Sequence, residues 1–168
     1  MTDRIAIYAA SFDPIHNGHI AIIDRASKLF IARKVHVIVA NNLDKKHMFD
    51  IDERMKIVEN SLAYLKDKIE IISYSGIIAD YIKENNVDVS VRGIRNSTDF
   101  SYEVQLEQFT RDTTSIETVY LSPYTHDLNT SSSLLRMFIQ SGNVQEAKKY
   151  MNYDGYNTMI NLLKSKKC

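Results

Sequence analysis

The chain has 168 residues, in which 21 Lys and Arg side chains balance 21 Asp and Glu side chains. This balance excludes the global positive charge with which many proteins bind nucleic acid, so an anionic ligand must be held by a local group of cations. The sequence contains no charged-then-apolar leader and no apolar run long enough to span a bilayer. Its single cysteine, Cys168, can form no internal disulfide, as is usual in a reducing compartment. We therefore expect a cytoplasmic protein without a nucleic-acid or membrane partner.

Short apolar runs rich in β-branched residues alternate with amphipathic segments along the chain. The runs are typical of buried strands and predict strands at 5–8, 35–40, 69–74, 87–91 and 118–121. The amphipathic segments predict helices at about 20–30, 50–66, 77–82 and 98–112, and further helix from 131 onward with interruptions at 142 and 152–155. Asp50 and Glu53 have the spacing of a capping box at the start of the second helix.

This order of elements predicts the fold class. Strands that alternate regularly with helices, joined by right-handed crossovers, form a parallel sheet that is covered on both faces. The chain is long enough for one such core, and no repeat or linker divides it. We therefore predict an α/β protein with a single Rossmann-like domain over residues 1–168, in which a doubly wound five-stranded parallel sheet has helices on both faces and a helical C-terminus.

The segment Ser11 to His19, SFDPIHNGH, joins the first predicted strand to the first predicted helix. Asp13-Pro14 and Asn17-Gly18 are turn dipeptides, which places His16 and His19 around the N-terminus of that helix. Free backbone N–H groups and a partial positive charge favour an anion at such a position. Two imidazoles in the first helical turn project to roughly the same side. The segment therefore predicts a phosphate-binding site.

Three further polar clusters follow predicted strands, at the edge where an open parallel sheet binds its ligands. Arg92-Gly93-Ile94-Arg95 combines a glycine, which permits close approach of the backbone, with two forked cations suited to phosphate oxygens. Lys45-Lys46 follows the second strand, and the segment from Thr130 to Ser133 can cap a helix while facing an anion. Taken singly, the three clusters are also explained by surface ion pairs, a solvated turn and a helix cap. Their convergence predicts one phosphate site.

The segment SFDPIHNGH resembles the signature of the nucleotidyltransferase superfamily, in which Thr or Ser and Phe-Asp-Pro precede His or Thr, any residue, and Gly-His. Four later pieces follow in order, namely Lys45-Lys46-His47-Met48-Phe49, VRGIR at 91–95, the Tyr102-Glu103 pair with Asp99-Phe100 before it, and TSSS at 130–133. With them, nearly the whole chain is similar to the phosphopantetheine adenylyltransferase family. The resemblance implies attack of the phosphate of 4′-phosphopantetheine on the α-phosphorus of ATP, without a covalent intermediate, giving dephospho-coenzyme A and pyrophosphate.

The resemblance also implies roles for individual residues and partners. His19 matches the family's transition-state stabiliser. The ATP-binding positions that match are Ser11, Phe12, His19, Gly93, Ile94, Arg95, Glu103, Asp127, Leu128, Asn129, Thr130, Ser131, Ser132 and Ser133. The substrate-binding positions that match are Ser11, Lys45, Ile78 and Arg92. The family further implies a Mg²⁺ ion bound mainly by phosphates and water, with no ligand from a protein side chain, and a homohexamer.

Three departures from the family pattern leave alternatives open. Ala9-Ala10 stands where the family usually has Pro-Gly, and His16 where this subfamily often has Thr. The run from Asp127 to Thr130 replaces a Trp-Ser-Phe-Ile or similar run and brings an acidic residue toward the expected triphosphate. A related enzyme for another phosphorylated acceptor, such as nicotinamide mononucleotide, and a non-catalytic ATP-binding domain are the alternatives. His36 and His47 have no ligand-spaced Cys or carboxylate cluster, so we expect no structural zinc site.

Overall fold

A computed structural model of the protein describes residues 5–29, 34–42 and 45–166, apart from the side chains of Asp99 and Tyr102. Cys168 lies outside the described residues. The strands are β1 (Ile5–Ala10), β2 (Val35–Ala40), β3 (Ile69–Tyr74), β4 (Val87–Gly93) and β5 (Glu117–Leu121). The helices are α1 (Asn17–Leu29), α2 (Ile51–Leu62), α3 (Ile78–Glu84), α4 (Ser97–Thr114), α5 (Ser132–Gln140) and α6 (Tyr153–Ser165).

The strands form one parallel sheet in the order β3-β2-β1-β4-β5. The chain builds outward from β1 to β3 and then crosses to the other side of β1 to add β4 and β5. The strand order therefore reverses at β1, which has a parallel neighbour on each side. In open sheets of this type, the crevice beyond the carboxyl ends of the strands at the reversal point binds the ligand. The predicted fold class is confirmed.

Alternate residues of the central strands face two different apolar layers. Tyr8 and Val37 belong to a large core with side chains from α1, α2, α5 and α6. Ile7 and Ile38 face a smaller cluster with Tyr81 and other residues of α3, and α4 contacts α3 on that side. This alternation explains why β1 and β2 read as continuous apolar runs, since both of their faces are covered.

The structure differs from the predicted boundaries where pairing or packing extends an element. β1 continues to Ala10 because that residue still pairs with Val39, and β4 continues to Gly93 because that residue pairs with Leu121. The predicted interruption at 152–155 is too long, since α6 begins at Tyr153 and Gly155 is helical. The predicted capping box of α2 is confirmed. The Asp50 carboxylate accepts from Glu53 N at 2.9 Å, and Asp50 N donates to the Glu53 carboxylate at 3.0 Å.

Asn152 fastens the C-terminal helix to α2. Its Oδ1 accepts the backbone N–H of Gly155 at 3.1 Å and so caps α6, while its Nδ2 donates to Ser61 O at 2.7 Å. The same residue therefore satisfies a free donor at the start of α6 and ties that start to the last turn of α2.

Among the described residues, no helix is both long and apolar enough to cross a membrane.

The substitution Asn152→Ala should lower the free energy of unfolding by about 1–2 kcal/mol, because it removes the helix cap and the bond to Ser61 together. Asn152→Asp keeps an acceptor for the cap but cannot donate to the Ser61 carbonyl, so we expect an intermediate loss. Urea unfolding followed by circular dichroism measures both variants. An alanine variant as stable as the unchanged protein would contradict this role of Asn152.

Candidate active site

A cavity of about 330 Å³ opens beyond the carboxyl ends of the strands, at the place where the strand order reverses. Its wall comes from the β1–α1 connection, the loop after β2, the end of β4, and α4 and α5. Of the predicted site residues, it brings together Ser11, His19, Lys45, Arg92, Gly93, Arg95, Glu103, Ser131, Ser132 and Ser133. Residues outside that prediction complete the lining, among them Tyr8, Asp13, His16, Lys46, His47 and Arg136.

Arg54, in the first half of α2, lies beneath this cavity with no exposed surface. Its Nη1 donates to the carbonyls of Ser11 at 2.8 Å and Ala40 at 2.9 Å, and its Nε donates to Phe49 O at 3.1 Å. Its Nη2 donates to Asn41 Oδ1 at 2.7 Å. One guanidinium therefore joins the ends of β1 and β2 to the start of α2 and fixes the Ser11 backbone.

Asp13 ties the β1–α1 connection to the loop after β2. The side chain is buried, and its two oxygens accept the backbone N–H groups of Met48 at 2.9 Å and Phe49 at 3.0 Å. Arg136 from α5 donates to the Asp13 carbonyl at 2.8 Å, and Ser132 Oγ donates to Pro14 O at 2.8 Å. Three segments of the cavity wall are thereby held in register with one another.

His16 and His19 stack at the start of α1, with ring centroids 3.7 Å apart and planes inclined by 25°. His16 precedes the helix, and its Nδ1 accepts the backbone N–H of His19 at 3.4 Å. The ring of His16 is thus an N-terminal cap as well as a support for the ring of His19. The ring of His19 also packs edge-on against Phe12, with centroids 5.0 Å apart. Its Nδ1 is buried and has no hydrogen-bond partner among the described residues.

Glycine at position 18 permits this stack. A Cβ there would lie 3.0 Å from both Cε1 and Nδ1 of His16, which is too close for a rigid ring held on its other face by His19. Phe12 adopts a left-handed backbone conformation, with φ of 47°. A bulky residue rarely adopts it without surrounding constraints, and here the Phe12 side chain is fully buried beside Tyr8 and His19.

Both histidines are electrically neutral near pH 7. Burial lowers the pKa of His19 to about 3, and the cationic Arg95 acts in the same direction. Burial, followed by His19 and Arg95, holds the pKa of His16 well below its ordinary value. Imidazoles that are uncharged in a cavity with Lys and Arg side chains keep the site from accumulating still more positive charge. A phosphate oxyanion bound beside either ring would raise the pKa of that histidine and so act against the effect of Arg95.

The end of β4 provides the cationic side of the cavity. The Arg92 Nε lies 3.6 Å from the Glu103 carboxylate, and Arg95 Nη1 donates to Thr130 O at 2.8 Å. A Cβ on Gly93 would approach Ile22 Cγ1 to 3.3 Å, so glycine allows this strand end to pass close to α1. The Glu103 carboxylate lies beside the Arg92 guanidinium and orients it. A guanidinium has five N–H donors, so Arg92 retains donors for a ligand.

The consecutive serines have different partners. Ser131 caps α5, because its Oγ accepts Leu134 N at 3.1 Å. Ser132 donates to Pro14 O, and Ser133 Oγ accepts from Arg136 Nη2 at 2.9 Å. The start of α5 therefore contacts the β1–α1 connection through Ser132, and the backbone N–H groups of a helix start favour an anion in the cavity beside it.

Seven predicted ligand positions do not line the cavity. Phe12 and Thr130 are buried behind it, Ile94 continues the pairing of β4 with β5 through its bond to Leu121 O, and Ile78 begins α3. Asp127, Leu128 and Asn129 form the turn before α5. The Asp127 side chain is buried, with Oδ2 3.3 Å from His126 Nε2, and burial raises its pKa. The unexpected acidic residue is thus outside the cavity wall.

Comparisons with known proteins agree with this architecture. A family model described as cytidylyltransferase-like matches residues 7–138. Phosphopantetheine adenylyltransferase of Haemophilus ducreyi is 42% identical over 131 residues, which are 77% of this chain and 80% of the relative. The enzyme of that name from Pseudarthrobacter chlorophenolicus is 38% identical over 144 residues, or 85% and 86% of the two chains. The chain belongs to the phosphopantetheine adenylyltransferase family. The resemblance identified in the sequence is therefore confirmed.

A solved structure supports the fold at lower identity. A bifunctional NMN adenylyltransferase/ADP ribose pyrophosphatase from Francisella tularensis aligns with a TM-score of 0.67 and 19% identity. The alignment covers 97% of this chain and 50% of the other protein. At this identity, the likeness concerns the arrangement of the sheet and helices.

Arg54 and Arg136 were not predicted to have a role, and Asp13 was predicted only as part of a turn. Arg54 follows Glu53 in an amphipathic helix, and its charge is typical of a solvent-facing position. The Phe-Asp-Pro motif identified the segment containing Asp13 but not the backbone groups that its carboxylate binds. Arg136 lies one helical turn after Ser132 and Ser133, and this spacing at a helix start was the available signal.

Replacing Arg54 by Lys should lower the free energy of unfolding by about 2–4 kcal/mol, because an ammonium group cannot reach the carbonyls of three segments at once and buried acceptors are left unpaired. Arg111→Lys provides a matched control, since Arg111 is 54% exposed and pairs within one helix turn with Glu107. We expect the control to change stability by less than about 0.5 kcal/mol. Equal losses in the two variants, measured by urea unfolding, would show that Arg54 is not an anchor.

The lowered pKa values of His16 and His19 predict how stability depends on pH. The unfolded chain binds protons on these residues near pH 6.5, whereas the folded protein binds them only at lower pH. Their contribution is therefore complete above about pH 6.5 and is lost as pH falls, with a limiting slope of about 1.4 kcal/mol per pH unit for each histidine.

His19→Asn should reduce the slope of stability against pH by up to about 1.4 kcal/mol per pH unit between pH 7 and pH 5, which corresponds to one proton. The asparagine side chain does not titrate. Urea unfolding at a series of pH values measures it, and His126→Asn is the control because the side chain of His126 is 79% exposed. Identical slopes in the unchanged protein and His19→Asn would contradict a buried neutral imidazole at position 19.

Proposed function

We propose that the protein transfers the adenylyl group of ATP to 4′-phosphopantetheine, giving dephospho-coenzyme A and pyrophosphate. The proposal is carried by one observation: a single cavity collects His19 and the start of α1 with Lys45, Arg92 and Arg95 from the neighbouring loops. Local cations and a helix N-terminus suit a reaction in which every reacting group is a phosphate. The relatives at 38 and 42% identity carry this activity in their names.

The acceptor phosphate is already an anion, so the reaction needs neither a general base nor a covalent protein intermediate. One acceptor oxygen bonds to the α-phosphorus while the bond to the pyrophosphate oxygen breaks. The protein's contribution is to align the two groups and stabilise the charge that develops on the transferring phosphoryl group. His19 lines the cavity, and its neutral ring can donate a hydrogen bond to that group.

Strand order supports a division of the substrates. The residues proposed for ATP come from the β4 and α5 side, where Gly93, Arg95 and Glu103 face the serines of 131–133. Lys45 lies on the opposite side of β1, after β2, and is proposed to hold the acceptor's phosphate. Arg92 precedes Gly93 in β4, and it is proposed to reach the same phosphate from the ATP side of β1. Ile77 is 60% exposed next to Ile78 at the start of α3, so these two residues are proposed to contact the pantetheine arm.

Mg²⁺ is proposed to enter with the nucleotide and to be bound mainly by phosphates and water. Among the described residues, no group of three or more His, Cys, Asp or Glu side chains has the arrangement of a metal site. The two carboxylates in the cavity wall have other contacts, since Asp13 binds two backbone N–H groups and Glu103 lies beside Arg92. When bound, the ion neutralises charge on the pyrophosphate.

The assembly and compartment are further parts of the proposal. We propose a homohexamer, in which contacts between copies cover some of the large apolar side chains that the isolated chain exposes, including Leu29, Tyr64, Phe109, Met137 and Tyr153. Sedimentation velocity measures the mass of the assembly, and a monomer would exclude the hexamer. We place the reaction in the cytoplasm, where ATP and Mg²⁺ are available.

Pyrophosphate release tests the function directly. Purified protein is mixed with Mg-ATP and with 4′-phosphopantetheine, with nicotinamide mononucleotide, or with no acceptor, and the adenylylated product is identified by mass spectrometry. We expect product only with 4′-phosphopantetheine. Product only with nicotinamide mononucleotide would assign the protein to another acceptor, and ATP binding without product from either acceptor would indicate a binding domain.

His19→Ala should reduce kcat by about 10²–10³-fold, because it removes a donor that acts on charge developing in the transition state. The dissociation constant for ATP should change by less than about 3-fold, since a transition-state contact contributes little to ground-state binding. Steady-state kinetics and calorimetric ATP binding measure the two quantities, with the exposed His126→Ala as the control. Equal losses in turnover and binding would instead identify His19 as a ground-state ligand.

A further inference from the structure

His47 forms part of the cavity wall in the segment that follows β2, two residues after Lys45. Its side chain is nine-tenths buried, with 10% of its surface exposed. The Nε2 atom is buried and has no hydrogen-bond partner among the described residues. A buried polar nitrogen without a partner costs free energy unless a ligand or solvent satisfies it, so this atom is a candidate contact for a molecule in the cavity.

The other ring nitrogen faces a fixed anion. The Nδ1 of His47 lies 3.7 Å from Oδ2 of Asp13, and the Asn42 backbone also hydrogen bonds to the ring. Asp13 cannot move away from the ring, because the backbone N–H groups of Met48 and Phe49 hold its carboxylate. Asp13 therefore orients the imidazole and can stabilise it in the protonated form.

The charged groups around the ring decide its state. Burial lowers the pKa of His47, and the nearby cations Arg54 and Lys45 act in the same direction, while Asp13 and the Asn42 backbone oppose them. Arg136 lies on the far side of Asp13, with Nη1 4.0 Å from the same Oδ2. An anion that reaches Nε2 would add a second negative neighbour and favour proton uptake by the ring.

We propose that His47 is a further substrate-binding residue, whose Nε2 donates a hydrogen bond to a phosphate oxygen of the acceptor while Asp13 and the Asn42 backbone hold the opposite side of the ring. The assignment to the acceptor rests on the proposed function and on the position of His47 in the same segment as Lys45. The triphosphate of ATP offers the same chemistry, and kinetics distinguishes the two sources.

The kinetic test compares His47→Ala and His47→Gln with the unchanged protein. We expect His47→Ala to raise KM for 4′-phosphopantetheine about 10-fold, as the loss of one charge-assisted hydrogen bond requires. KM for ATP and kcat should change by less than about 2-fold. His47→Gln keeps an N–H donor and should recover much of the acceptor affinity. An unchanged acceptor KM, or an equal rise in KM for ATP, would overturn the assignment.

The pH dependence separates binding from a merely structural role. The acceptor KM of the unchanged protein relative to that of His47→Gln should fall as pH decreases from 8 to 6, because only the histidine gains a proton. The ratio between the two proteins removes the titration of the substrate's own phosphate. A ratio that stays constant with pH would contradict proton uptake at position 47.

A binding measurement keeps this inference distinct from the proposed function. The ring Cε1–H resonance of His47, identified by its loss in His47→Gln, is followed by NMR while inorganic phosphate is added to the unchanged protein. We expect phosphate to raise the pKa of His47, and a resonance that phosphate does not affect would overturn the inference. Failure of the unchanged protein to use 4′-phosphopantetheine would instead overturn the proposed function.

Discussion

The guanidinium of Arg54 determines how the loops of the cavity meet. Parallel strands end with carbonyl groups that have no partner within the sheet, and three chain segments end near one another where β1 and β2 meet α2. A planar cation with five donors can satisfy several such acceptors at once, and Arg54 donates to Ser11, Ala40 and Phe49 with full burial. The cavity wall is thus built around a buried charge that does not itself line the cavity.

Charge in the cavity is distributed in a way that favours phosphate and limits repulsion. Arg92 lies beside Glu103, and Asp13 lies between His47 and Arg136. His16 and His19 are neutral, so the net positive charge comes mainly from Lys and Arg side chains. A chain with no net charge overall can therefore bind highly charged phosphates in one place, because its cations are concentrated there and its anions orient them.

Features that depend on local sequence could be predicted, whereas those that depend on tertiary contact could not. The period of the apolar runs placed all five strands, and the spacing of Asp50 and Glu53 placed the start of α2. Arg54 is buried because it binds the carbonyls of Ala40 and Ser11, which are 14 and 43 residues away in the chain. Helical periodicity carries no information about such distant contacts. The stacking of His16 on His19 could not be predicted either, because spacing gives the side of the helix but not the ring rotamers.

The matched motifs identified the walls of the cavity more reliably than its individual contacts. Arg95 and the serines of 131–133 line the same cavity, whereas Thr130 contributes its backbone carbonyl as the acceptor for Arg95 and the Asp127 side chain is buried outside the cavity wall. A family pattern records which residues occur together, and the backbone can preserve a contact while the side chain changes. The run from Asp127 to Thr130 can therefore depart from the family pattern while its backbone still accepts the hydrogen bond from Arg95.

The bonds of Asp13 to the segment after β2 also affect the entropy of binding. Ordering a flexible loop costs about 1–2 kcal/mol per residue for the backbone alone. Here the Asp13 carboxylate fixes Met48 and Phe49 before any substrate arrives, and it does so from the connection that carries His16 and leads into the first turn of α1 with His19. The backbone entropy of Asp13, Met48 and Phe49 is therefore lost during folding and not on binding. Substrate contacts in this part of the cavity can therefore contribute to affinity, because binding there costs little additional conformational entropy of the chain.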